Sequence, residues 1–268
     1  MIAEINGKIS RTYSNFSERL EDELTGNVFG NLRYLPFSKG LKKILMECVH
    51  PQEIAALVNQ IEHNYWADNI IFWPYHTEGE IDVKIDFPEM VIGIEVKYLS
   101  GLSSDDEIGY HREETSDNFS VAEENVKSRN QLARESRMVS QWGKEKVKLL
   151  LFLADQQCCQ PVYEDVKGRG IIEKDVAFGY FTWQDVLKAL KKIDGLSDFE
   201  QVVVDDLIVL LKQKDFEPFE SFKSCSVSIS LASIWHFSAD QGTVGAMPGF
   251  EGFGQLELIA PDLLWCLQ

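Results

Sequence analysis

The chain has 268 residues, 44% of them hydrophobic, enough to bury a sizeable core as one large domain or one and a half. A formal net charge of −17 excludes a broad basic surface for nucleic acid, though not a local one. No run is long and apolar enough to span a bilayer, and five scattered cysteines make no disulfide framework, so a reduced, cytoplasmic protein without a membrane partner is expected.

The opening residues, MIAEINGKIS, lack a basic region followed by an apolar stretch, so no signal peptide is expected. Phe16, Leu20, Leu24, Val28 and Leu32 recur at four-residue spacing and predict a helix over 13–35, stopped by Pro36. A second helical stretch covers 40–64, broken near His50-Pro51. NIIFWPY (69–75) reads as a strand, and GEIDVKIDFPEMVIGIEVKY (79–98) as a hairpin. Polar, turn-rich residues 100–119 read as a loop, within which Tyr110, His111 and Arg112 could reach a substrate. Residues 121–142 read as a long helix, and VKLLLFLAD (147–155) as a strand covered on both faces of a sheet. GYFTW (179–183) is a further strand, with Thr182 or Trp183 leading into a helix over QDVLKALKKI. DFEQVVVDDLIVLLKQKDF is a late acidic helix, followed by extra strands or an irregular appendage. The alternation predicts an α/β sandwich.

The hairpin carries charges where a core strand should be apolar. A turn centred on Pro88–Glu89 pairs residues symmetrically about that bond, and Asp82 then falls opposite Glu95. Glu95 and Lys97 share a face because they are two apart. Two carboxylates opposed on a sheet repel each other. A hard cation such as Mg²⁺ between them would reverse that cost. The alternative is a solvated face with cross-strand charge pairing.

IDVKI followed by IEVKY resembles the signature of the PD-(D/E)XK nuclease superfamily, an Asp near a strand end and Glu-x-Lys on its hairpin partner. LEDELTGNVFGNL supplies the acidic helix that usually precedes the sheet, with Glu21 favoured over Asp22 and Glu23, and RNQLARE supplies the Gln helix of one branch as Gln131. A proline does not precede Asp82, where Ile81 stands. The resemblance covers roughly residues 15–190. It implies a restriction-endonuclease-like α/β/α sandwich with a mixed central sheet, a nuclease-like core over 1–193 and an acidic helical and β-rich extension over 194–268 packed on it.

The resemblance also implies roles. Asp82 and Glu95 would bind Mg²⁺, with Mn²⁺ able to substitute, and the carbonyl of Val96 would be a third ligand. Lys97 would orient the attacking water or neutralise the phosphate. Glu21 would complete the metal shell, and Gln131 would touch Lys97 or the water. The function implied is metal-dependent hydrolysis of nucleic acid, a DNA endonuclease of the restriction or anti-phage defence kind, with a homodimer as the arrangement that cuts both strands.

The other reading is a binding or regulatory subunit without turnover, its acidic C-terminal region docking a basic protein partner; the net charge motivates it. If residues 121–142 are helical throughout, Lys127, Gln131, Arg134 and Met138 share one face, and Lys127 and Arg134 would give nucleic acid a local positive strip. Lys39, Lys42 and Lys43 are the alternative entry. The five histidines lack metal-ligand spacing, and Cys158-Cys159 read as small buried hydrophobes rather than a redox pair.

Overall fold

Val83 and Ile85 alternate with polar neighbours, while Met90–Val96 is apolar apart from Glu95, so one strand fits a sheet flank and the next its centre. The computed structural model, which describes residues 2–6, 16–106 and 127–217, has that arrangement. Its helices are α1 (Ile2–Ile5), α2 (Phe16–Leu32), α3 (Leu41–Cys48), α4 (Gln52–Leu57), α5 (Gln131–Gly143), α6 (Gln156–Arg169), α7 (Trp183–Leu190) and α8 (Asp198–Gln213). Its strands are β1 (Ile70–Phe72), β2 (Tyr75–His76), β3 (Gly79–Glu80), β4 (Val83–Asp86), β5 (Met90–Val96), β6 (Val147–Ala154) and β7 (Ala177–Thr182). The main sheet has the order β1-β4-β5-β6-β7, with β2-β3 a separate ribbon. Pairing is antiparallel across β1, β4 and β5, then parallel across β5, β6 and β7. This is an α/β protein with a mixed sheet flanked by helices.

The hairpin register is the expected one: Val83 pairs with Ile94 and Asp86 with Val91, and Phe87 N–H closes the turn on Met90 O at 2.8 Å. On one face of the sheet, Val83, Ile85, Ile92, Ile94, Leu149, Leu151 and Leu153 pack with residues of α2, α3, α7 and α8. On the other, Ile81, Val91, Leu150 and Phe152 pack with residues of α5 and α6. Gly93 lies under α5, where a Cβ would come within 2.7 Å of Val139 Cγ2 and 2.8 Å of Ile81 Cδ1. The missing side chain lets the helix approach the strand that carries Glu95.

Two expectations need correction, and two further features were not drawn from the sequence. The strand over 69–75 is two pieces, because Trp73 takes a positive φ of 49° and turns the chain from β1 into β2. The long helix begins at Gln131, and residues 127–130 are not helical. Asn130 caps it, its side chain accepting from Leu132 N–H and Ala133 N–H, which fixes the first turn. Residues 156–169, not assigned from sequence, form α6, opened by Asp155 as N-cap and closed by Gly170 in the left-handed region. Finally, α8 belongs to the same compact unit as the sheet, Met1–Glu217, with Val203, Val204, Leu207 and Leu211 in its core. The predicted tail strands, and Tyr110, His111 and Arg112, lie outside the described residues.

Candidate active site

Five of the sequence-derived residues meet at the end of the β4–β5 hairpin. Asp82 stands just before β4, with Oδ2 accepting Val96 N–H at 2.8 Å and Oδ1 accepting the Trp73 indole N–H at 3.2 Å. Glu95, from β5, is 2% exposed. Lys97, just past β5, places Nζ 2.8 Å from Glu95 Oε1 and 3.1 Å from Glu21 Oε1. Glu21 comes from α2 and is held by Tyr98 N–H at 3.0 Å and Ser100 Oγ at 2.6 Å on Oε2. Gln131, the first residue of α5, donates from Nε2 to Glu95 Oε1 at 2.5 Å and accepts Ser103 N–H at 2.8 Å. Glu21, the residue favoured from the acidic stretch, thus stands beside Lys97.

A sixth residue, not singled out from the sequence, belongs to the cluster. Glu135 lies one helical turn after Gln131, is 2% exposed, lies against the Glu95 carboxyl, and accepts a hydrogen bond from no N–H or O–H donor. The signal was available: on a helix, residues i and i+4 share a face.

The charges press on one another. Burial raises the pKa of Asp82 well above its ordinary value, and the Glu95 carboxylate adds to this; Lys97 and the Val96 N–H oppose it. Burial does the same to Glu135, reinforced by Glu95 and then Asp82. Burial acts to lower the Lys97 pKa, but the Glu95 and Glu21 carboxylates outweigh it, and the ammonium stays protonated.

The donor set suits a hard divalent cation: its groups are oxygens, they repel one another, and Glu135 presents two that no N–H or O–H donor satisfies. Among the described residues no three His, Cys, Asp or Glu side chains are gathered as a metal-holding group, and the nearest positive charge is the Lys97 ammonium.

The expected positive strip is not present as drawn. Lys127 is exposed but precedes the helix, and Met138 is buried in the core. Arg134 donates from Nη1 to Glu78 O at 2.6 Å and from Nη2 to Ser104 Oγ at 3.1 Å, so it ties α5 to the ribbon and to the segment after β5. The alternative basic group is also engaged: Lys39 with Glu200, Lys43 with Asp194, and Lys42 with the carbonyls of Asn59 and Ile61. His76 bonds Gln141 and His63 lies by Glu89, away from the cluster's contacts. Cys159 is buried, its thiol pushed up to about 12 by burial, whereas Cys158 is exposed, contrary to the expectation of a buried pair.

The fold and the cluster define an α/β protein that gathers four carboxylates, one ammonium and one amide around a hairpin end. Comparison with protein-family models, curated proteins and solved structures finds no match. No helix among the described residues is long and apolar enough to cross a membrane.

Proposed function

We propose that the protein hydrolyses phosphodiester bonds in nucleic acid with a divalent cation, as a DNA endonuclease of the restriction or anti-phage defence type built on a PD-(D/E)XK-like core. One observation carries the reading: Asp82, Glu95 and Lys97 of one hairpin end converge with Glu21 and Gln131 from two different helices. Asp82, Glu95 and the Val96 carbonyl would hold Mg²⁺, or Mn²⁺ in its place. Such a cation lowers the pKa of a bound water and stabilises charge on the scissile phosphate.

The chain's own groups do the rest. Lys97, kept charged by two carboxylates, orients the water or neutralises the phosphate. Gln131 fixes one oxygen of Glu95 and thereby its second oxygen's direction. Glu21 holds the Lys97 ammonium in place. Lys127, exposed just before α5, is the proposed contact to the nucleic acid, whereas Arg134 is engaged by Glu78 O and Ser104 and holds α5 in place. A homodimer would cut both strands. Purified protein with Mg²⁺ or Mn²⁺ is expected to nick or linearise plasmid, EDTA to stop it, and Asp82→Ala or Glu95→Ala to lower the rate by about 10³-fold. Cutting by both variants at the wild-type rate sinks the proposal.

A second reading, a binding or regulatory subunit without turnover that docks a basic protein partner, is favoured by the net charge of −17 and by the engagement of Lys39, Lys43, Arg137 and Arg169 in internal ion pairs. Titration with Mn²⁺ separates the two. Absence of binding, together with a stable complex recovered from the native host, favours the subunit.

A further inference from the structure

Glu135 is the carboxylate of the cluster to which no N–H or O–H donor is bonded; what it meets is another carboxyl, that of Glu95, at hydrogen-bonding distance. It projects from α5 one turn beyond Gln131, whose amide is 2.5 Å from Glu95 Oε1, and the same face of the helix therefore overlies Glu95. It is 2% exposed, and neither of its oxygens accepts a hydrogen bond from an N–H or O–H donor. A buried carboxylate in that state is costly, and native interiors rarely leave one. Every other member is satisfied. Glu21 has Lys97, Tyr98 N–H and Ser100; Glu95 has Lys97 and Gln131; Asp82 has Val96 N–H and Trp73. No arginine relieves it: Arg134 is bound to Glu78 O and Ser104, and Arg137 to Glu78 and Ser128 O. With Lys97 as the cluster's ammonium, four carboxylates face one cation.

We infer that Glu135 is a further cation ligand: it already lies against Glu95, and although the three carboxylates are not gathered around one point, a divalent ion held by Asp82 and Glu95 would draw Glu135 in as a third donor. The inference rests on the proposed role of Asp82 and Glu95. It adds a third anionic oxygen donor, on a helix rather than on the hairpin. Three anionic donors fit a small hard ion that keeps some of its waters, and they tie α5 to the hairpin when it binds.

The test is calorimetric titration of the full chain with MnCl₂ in the absence of nucleic acid, with thermal unfolding of the same samples before metal is added. The wild type is expected to bind. Asp82→Asn and Glu135→Gln are each expected to weaken binding about tenfold or more. Glu135→Asp, which keeps the charge, should recover part of the loss. Metal-free Glu135→Gln should unfold no lower than wild type, because it replaces a buried carboxyl that no donor satisfies. Wild-type affinity in Glu135→Gln alongside loss in Asp82→Asn overturns the inference and leaves the Asp82–Glu95 reading standing; Glu135 would then only share a proton with Glu95. Unfolding of Glu135→Gln also overturns it, since the carboxylate would be serving the fold rather than an ion. A wild type that binds no Mn²⁺ removes both.

Discussion

The two faces of the sheet are built on different principles. The face toward α2, α3, α7 and α8 is apolar along β4, β5 and β6, from Val83 and Ile85 through Ile94 to Leu153. The face toward α5 begins the same way at Val91 and then changes: Gly93 thins the sheet, Glu95 follows, and α5 answers with Gln131 and Glu135. Apolar burial stabilises by about 25 cal/mol per Å² and asks little of its neighbours' orientation. Buried charge is stable only where each group has its partner. The first face can therefore tolerate change that the second cannot, and the polar end of the second face is where chemistry has to be sought.

The contrast can be broken most directly at Lys97. Lys97→Met leaves Glu21 and Glu95 buried without their ammonium and is expected to cost about 3–5 kcal/mol. In a domain of this size that lowers the melting temperature by roughly 10 °C, whereas Ile85→Val on the other face should cost only about 1 kcal/mol. Equal effects at the two sites would erase the distinction. Next comes Gly93→Ala, which drives a methyl into Val139 and Ile81. A loss of about 1–3 kcal/mol in denaturant unfolding is expected, because overpacking there pushes α5 off the sheet. Gln131→Ala removes the donor to Glu95 and the acceptor for Ser103 N–H; chemical denaturation should show a cost of about 1–2 kcal/mol.

The smallest effect is one of pH. Asp82 and Glu135 have raised pKa values in the folded state, so their protonated forms are favoured there. Stability from this source is fully present below the ordinary carboxylate pKa and is lost as pH rises through the raised values. Metal-free wild type should thus lose melting temperature on going from mildly acidic to alkaline buffer, by a few degrees at roughly 2–4 °C per kcal/mol. Glu135→Gln should flatten that slope. An identical slope in the variant would mean that Glu135 does not carry the charge cost assigned to it.

Much of the hairpin is legible in the sequence. Period-two alternation and the residues Pro88 and Glu89 fix the register, and a slip by one residue would have put Glu95 in the apolar core. The convergence of Glu21 and Gln131 was legible only through the resemblance, since nothing local says which helix faces which strand. Other features competed with the patterns being read. The polar run before Asn130 continues the helical composition, and only the cap marks the boundary. The helix α6 contains Pro161 and an ill-defined apolar stripe, so periodicity does not reveal it, although Asp155 and Gly170 punctuate its ends. Trp73 breaks its strand with a backbone conformation that its side chain does not announce. Glu135 was hidden by its ordinary setting, one more acid on an amphipathic helix.

The wiring of the cluster also bears on how the chain reaches its native state. The bond from Val96 to Asp82 spans 14 positions, that from Gln131 to Glu95 spans 36, and that from Lys97 to Glu21 spans 76. Contacts distant in sequence carry a larger loop-closure cost and form late. A nascent or refolding chain is therefore expected to acquire its hairpin early, with two acidic groups already opposed, and to wait for α5 and α2 before Glu95 and Lys97 are aligned. The arrangement of the cluster is the last part of it to form, and a partly folded copy holds the side chains without their alignment.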